Sequence, residues 1–492
     1  MIRARKFITI GVGLAWSISG AVTWAAAPEA TPSPIASATA TNQSVPDWVS
    51  QAKLPVPKIE KLANGLEVVW FVDPTLPVVD LALMIKSGNR DDAAGKTGTV
   101  QLLSSVLDRG AAGMTSQQIA RAVDSLGASR YVSAEDDTIT VGMHGLSEDA
   151  ERLLELLGKI TREPTFPDTE VKQESSRILD RWRHVADTSQ SLVSLVFHRL
   201  VCASTPYSRG GFLGIQEFSR VARADVVAFH QHHFVPSNAV LMVVGRVDPA
   251  SFRKLIEARF GSWQGKAPKR TIVKLAHAKL FPPKGAGVVV GRPELTQAQI
   301  RMGFQAPLIS SPDHYPLLVA NTILGGFFQS KLNAKIRDEM GLTYGINSIF
   351  SYSRELGAFS INTSTQNETV GKVIKRTREL FQATIKGEVT EEEVRQAREY
   401  LVGGFPIEMG TLGAVASRWL AGYIHELGPE YLNEFIPRVN AVTLAQVKAA
   451  MKKHFMGKEL LIVVGGDTAE INKSLAAEKL PKFKPVRAAD LL

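Results

Sequence analysis

One alternation of apolar and polar positions occurs twice in the chain. "VARADVVAFHQHHFVPSNAVLMVVG" ends at Gly245 and "VTLAQVKAAMKKHFMGKELLIVVG" ends at Gly465, an offset of about 220 residues. Val221, Ala224, Val226, Ala228, His233 and Phe234 match Val442, Ala445, Val447, Ala449, His454 and Phe455. Each copy has apolar residues at helical spacing, a turn, and an unbroken apolar run closed by glycine, which predicts a helix followed by a buried strand. Asp248 or Asp467 then stands where an N-cap opens another helix. Upstream, Leu81, Leu83 and Ile85 alternate in "DLALMIKSG", as Ile300, Met302 and Phe304 do in "QIRMGFQAP". Both read as half-buried strands.

Helices and strands mix without strict βαβ alternation, so the fold class is α+β: two homologous halves, each with helices packed on a mainly antiparallel sheet. The Lys-, Pro- and Gly-rich stretch 266–287 is the linker between an N-terminal domain at 47–265 and a C-terminal domain at 288–480, with a tail at 481–492.

Two stretches carry candidate chemistry. In "GKTGTVQLLSSVLDRG", residues 95–110, Val100, Leu103, Val106 and Leu107 form an apolar stripe, and Gln101, Ser104, Ser105 and Asp108 share the opposite face. Positions four apart on such a face are where a helix displays two metal-ligating histidines with a base between them, yet here they hold an amide and two hydroxyls. In "GGFFQSKLNAKIRDEMGLTYGINS", residues 325–348, a glycine-rich turn precedes a helix that should close at Gly341, and a strand with Tyr344 near its start follows.

The N-terminus narrows the compartment. Arg3, Arg5 and Lys6 precede an apolar run and then small residues, the pattern of a secretory signal peptide over 1–27. The Pro/Ala/Ser/Thr-rich stretch 28–46 reads as a flexible tether. No later apolar run is long enough to span a bilayer, so stable membrane insertion after cleavage is not expected. The product is expected to be exported, and periplasmic in a Gram-negative host. Cys202 is the single cysteine, so no internal disulfide can form. Three charges of the +9 excess lie in the first six residues and the rest are scattered, which argues against nucleic acid as a partner.

The arrangement resembles the pitrilysin/insulinase family of zinc metallopeptidases, and is most similar to two-domain subunits of the mitochondrial-processing-peptidase type. Such chains open with a strand like "LANGLEVVWFVDP" and then a glycine-led helix bearing His-x-x-Glu-His. Aligned on Gly98 and Gly110, the two histidine positions hold Gln101 and Ser105, and the base position holds Ser104. The third ligand, a downstream glutamate, falls in "EVKQESSRILDRWRH" on Asp180 or Arg181. Arg337 and Tyr344 match the arginine and tyrosine that reach the active site from the C-terminal half in family members.

The resemblance implies a chain with no zinc of its own, because amide and hydroxyl groups are poor substitutes for imidazole and carboxylate, and serine cannot act as the base. No two of the ten histidines stand four apart; His233 in "HQHHF" shares its repeat position with His454 and reads as structural. "HELGP" at 425–429 lacks a second histidine, no Gly-x-Ser-x-Gly elbow occurs, and Cys202 in "LVCAST" reads as a core residue. The chain is therefore not an enzyme on its own. The expected function is the substrate-binding subunit of a heteromeric zinc metalloendopeptidase, with zinc in a paralogous partner and Arg337 and Tyr344 acting on a peptide or unfolded polypeptide held between them. The alternative is a pseudopeptidase scaffold with no peptidase partner.

Overall fold

A computed structural model describes residues 53–185, 188–203, 205–209, 214–270 and 287–486. The expected signal peptide and tether, and most of the expected linker, lie outside the described residues. Six strands build the first sheet: β1 (Lys58–Lys61), β2 (Glu67–Val72), β3 (Val78–Ile85), β4 (Ser129–Ala134), β5 (Ile139–Leu146) and β6 (Ala239–Gly245), in the order β1-β2-β6-β3-β5-β4. Six more build the second: β7 (Gly287–Gly291), β8 (Gln297–Ala306), β9 (Ile346–Ser353), β10 (Leu356–Gln366), β11 (Leu461–Gly466) and β12 (Lys484–Val486), in the order β9-β10-β8-β11-β7-β12.

Read from β12, the second sheet repeats the first strand for strand. The pair β2–β6 is parallel and so is its counterpart β7–β11, while the strands beyond them pair antiparallel in both sheets. The duplicated helix and strand are α5 (Arg223–His233) with β6, and α9 (Leu444–Phe455) with β11. Asp248 accepts from Ser251 N at 2.9 Å to cap α6 (Pro249–Phe260). Asp467 accepts from Ala469 N at 2.8 Å to cap α10 (Thr468–Ala477). The sheets differ at one edge, where the first has antiparallel β1 and the second has parallel β12. Residues 484–486, expected within a tail, are thus part of a sheet; Phe483 beside them is buried against Gly287, where a Cβ would collide with its ring.

The central strands are buried on both faces, not one as the alternation suggested. Leu81, Leu83 and Ile85 of β3 point into a core with Val100, Leu103 and Val106 of α1 (Thr99–Val106) and with Leu154 and Leu157 of α2 (Ala150–Arg162). Ala82 and Met84 point the opposite way, as strand geometry requires. They belong to a core shared with Val415 and Trp419 of α8 (Leu412–Ile424), a helix of the C-terminal half. Trp419 packs edge-on to Phe71 of β2 with ring centroids 5.9 Å apart.

The exchange is reciprocal. Leu192, Val193, Val196 and Phe197 of α4 (Ser189–Val201) pack on Val288, Val290, Leu461 and Val463 of the second sheet. Gly465 lets the helix approach, since a Cβ there would lie 2.6 Å from Val193. The other face of the second sheet carries α7 (Val370–Ile385) and α9, around the rings of Phe304, Phe359, Phe381 and Phe455. A polar cluster ties the halves together: Asp137 accepts from Tyr207 Oη at 2.9 Å, Arg270 Nη2 at 2.7 Å and Arg354 N at 2.7 Å, and Arg90 pairs with Glu355 at 2.9 Å.

Candidate functional site: a pocket at the glycine-led helix

The start of α1 is fixed by its sequence. Gly98, with φ of +92°, is the N-cap, and its Cα is pressed against Phe218 and Trp182, where any side chain would clash. Asp92 closes the first turn by accepting from Gly98 N at 2.6 Å and Val100 N at 2.9 Å. Burial pushes its carboxyl up to about 7, against the downward pull of those amides. With Val100, Leu103, Val106 and Leu107 fully buried, Gln101, Ser104, Ser105 and Asp108 are left on the other side.

Those four line a pocket of about 480 Å³ with Arg109, with Arg130, Tyr131, Val132 and Ala134 of β4, and with Glu174 and Arg181 of α3 (Asp168–Val185). Strand β4 is an edge strand, so one side of its backbone is unpaired within the sheet. Ser104 and Ser105 both donate to the Gln101 carbonyl, at 2.9 and 3.0 Å. Asp108 is held by Arg130 at 2.8 Å. Glu174, only 4% exposed, pairs with Arg109 at 3.2 Å and Arg177 at 2.6 Å. Arg181 forms no hydrogen bond or ion pair with any described residue, and neither does the Gln101 amide.

The structure thus brings Gln101, Ser104 and Ser105 together, and of the two third-ligand positions it turns Arg181 into the pocket. Asp180 does not line it; its carboxylate is exposed and bonded to Arg183 at 3.0 Å. Glu174 is the carboxylate of the pocket that sequence reasoning missed, along with Arg109 and the residues of β4. It lies seven residues before Arg181, two helical turns, and therefore on the same face. The donor set does not fit zinc. Its two carboxylates are already neutralised by guanidinium groups, the remaining side chains on α1 are neutral, and Arg181 is a cation. Among the described residues no three of His, Cys, Asp and Glu cluster in a metal-holding arrangement.

Arg337 and Tyr344 lie elsewhere, outside this pocket's lining. Gly325 and Gly326 end one π-helical turn, Thr322–Gly326, and Asn333–Glu339 forms a second where an ordinary helix was expected; such turns recur at functional sites. Gly325 is packed against Ser348 of β9 so closely that a Cβ would lie 2.6 Å from its hydroxyl. The helix closes as anticipated at Gly341, with φ of +60°. Arg337 lies over the Phe328 ring, 3.5 Å from its centroid, and gives Nε and Nη2 to Asp338 at 2.7 and 3.0 Å. That carboxylate raises the guanidinium's affinity for its proton. Tyr344, just before β9, is 91% exposed, and Phe328 is 72% exposed.

The remaining candidates have structural partners. His233 bonds Ser87 at 2.8 Å and burial pulls it down to about 4; His230 bonds the Thr161 carbonyl at 2.9 Å and is also lowered by burial. His454 pairs with Asp313 at 2.7 Å. Cys202 is fully buried, which pushes its thiol well above the usual range and leaves it unreactive.

Two family models match, one described as insulinase (peptidase family M16) over residues 67–210 and one as the peptidase M16 inactive domain over 220–401. The chain belongs to the M16, or insulinase, family of peptidases. Within that family it is 24% identical over 474 residues to the beta subunit of the mitochondrial-processing peptidase of Blastocladiella emersonii, covering 92% of this chain and 95% of that one. It is 23% identical to the uncharacterized zinc protease YmxG of Bacillus subtilis, over 80% of this chain and 94% of that one. A Pseudomonas fluorescens structure described as a peptidase M16 inactive domain superposes with a TM-score of 0.76 at 24% identity, covering 84% of this chain and 98% of the other. A Helicobacter pylori protease superposes with a TM-score of 0.72 at 18% identity, covering 84% and 100%. Both structures share the fold of this chain.

Proposed function

We propose that this M16 chain is the substrate-binding, non-catalytic member of an exported peptidase pair whose zinc sits in a paralogous partner. The observation that carries the reading is the pocket at the family's metal position, whose amide, hydroxyls and arginine cannot hold zinc or activate water. The B. emersonii relative is named as one subunit of a peptidase, which fits division of the work between two chains. Strand β4 offers an unpaired edge beside the pocket, to which an extended peptide can add as a further strand.

In this reading Arg337 and Tyr344 serve the partner's site. Tyr344 Oη, exposed and with no partner among the described residues, donates to the oxyanion that forms on the scissile carbonyl. Arg337 is oriented by Asp338 and Phe328, which leaves its Nη1 edge for a substrate carbonyl. The test is steady-state kinetics of the chain reconstituted with a co-purifying zinc-bearing paralogue. Tyr344→Phe is expected to leave assembly intact and lower kcat on the order of 10²–10³-fold, the usual cost of one oxyanion donor. Arg337→Ala is expected to raise KM more than it lowers kcat, because its contacts already exist in the ground state. Unchanged kinetics in both variants, with the complex intact on gel filtration, would replace this reading with a binding scaffold.

A further inference from the structure

We infer that the pocket between α1, α3 and β4 is a carboxylate receptor, in which Arg181 has turned the family's cation site into an anion site. The inference rests on the peptide-binding reading above and names the group of the peptide that this chain itself takes. Three guanidinium groups line the pocket against two carboxylates. Arg130 is engaged by Asp108 and Arg109 by Glu174, at 2.8 and 3.2 Å. That leaves Arg181 as a guanidinium with no partner among the described residues, facing a pocket of about 480 Å³. The Gln101 side-chain amide, on α1, is a second donor in the lining with no partner among the described residues. Where a metallopeptidase helix pair offers imidazoles and a carboxylate to a dication, this one offers N–H donors and positive charge.

A guanidinium fork matches a carboxylate bidentately, and the flanking Gln101 N–H can take a remaining lone pair. The paired Arg109 and Arg130 fix the wall and add no free charge. Residues of the edge strand β4 line the same pocket as Arg181, so the carboxylate of a chain added to that edge is either the peptide's C-terminus or an acidic side chain.

The full chain is titrated with four probes: an Ala/Ser octapeptide with a free C-terminus, its C-terminal amide, the amide with one internal Glu, and N-acetylglutamate, the last read as a rise in thermal midpoint. The native chain is expected to bind a carboxylate-bearing peptide more tightly than the neutral amide, on the order of tenfold to a hundredfold for one charge-assisted contact. Whichever acidic peptide gains shows whether the terminus or the side chain is read. Arg181→Gln, a change at an exposed side chain without partners, should abolish that preference, and Arg181→Glu should reverse it. Equal affinity for acid and amide peptides, unchanged in Arg181→Gln, overturns the receptor and leaves peptide binding in place. Stabilisation by N-acetylglutamate that needs Arg181, with no peptide bound at all, upholds the receptor and removes the peptide cleft. No response to any probe overturns both.

Discussion

Asp92 shows how a single buried group couples the site's architecture to pH. Its carboxyl holds two amides at the start of α1, and burial lifts it from 3.8 to about 7. Between roughly pH 4 and 7 the folded chain keeps a proton there that the unfolded chain releases, so this stability is present at low pH and is lost as pH rises through about 7. Glu135, also raised to about 7 by burial, acts in the same direction, while His233 and His314, both lowered to about 4, act in the opposite one. The comparison that isolates Asp92 is with Asp92→Asn. Its thermal midpoint should fall less steeply than the native one as pH rises from 5 to 7.5; parallel curves would show that Asp92 does not titrate there. A second residue-scale expectation concerns Arg181. Gln101→His, Ser104→Glu and Ser105→His together should not yield stoichiometric zinc on elemental analysis, because a guanidinium still faces the site. Adding Arg181→Glu should. Zinc at one per chain in the triple variant would mean that Arg181 is not at the third-ligand position. Sequence counting could not separate Asp180 from Arg181, since adjacent helical residues point about 100° apart and the count between motifs is uncertain by one. Packing sets which of them lines the pocket: Trp182, buried against Phe218, fixes the rotation of α3 and leaves Arg181 in the lining.

At the scale of elements, the repeated helix, strand and capped helix were legible because burial imposes a period on sequence, and Asp248 and Asp467 cap where their positions implied. The glycine-led helix was legible for the same reason, its apolar stripe being wholly buried. The destination of α4 and α8 was not. An amphipathic pattern shows that a helix buries one face; it carries no record of which sheet receives it. The alternation of Leu81, Leu83 and Ile85 suggests one buried face, and nothing in it reveals that Ala82 and Met84 are buried in the core shared with α8. The π-helical turns around Gly325 have no signature that separates them from an α-helix. The exchanged helices have a measurable weight. Phe197→Ala removes a ring buried against the second sheet and Trp419→Ala one buried against the first, and each should cost about 3–5 kcal/mol in urea unfolding. Both losses should appear in one cooperative transition. A separate early transition for either variant would show that the two sheets unfold independently.

For the whole molecule, the duplication of the chain does not make two self-sufficient halves. Residues 53–270 expressed alone would expose the sheet face carrying Ala82, Met84 and Met242, and 287–486 alone would expose Val288, Val290 and Val463. Each is expected to be insoluble or to bind a hydrophobic dye, and co-expression should recover a folded complex; a soluble, cooperatively unfolding single half would contradict the exchange. The same arrangement fixes the mechanics of the molecule. A protein made of two lobes on a hinge can swallow a ligand by opening between them, but here each lobe is bolted to the other by a helix it has lent. Bending the chain open at its middle would pull α4 and α8 off their sheets and wet some of the driest surface in the molecule. The chain is therefore stiff against opening at its middle; under the proposed division of work, the motion that admits a peptide falls between this chain and its partner, with Tyr344 and the edge of β4 on the side that stays fixed.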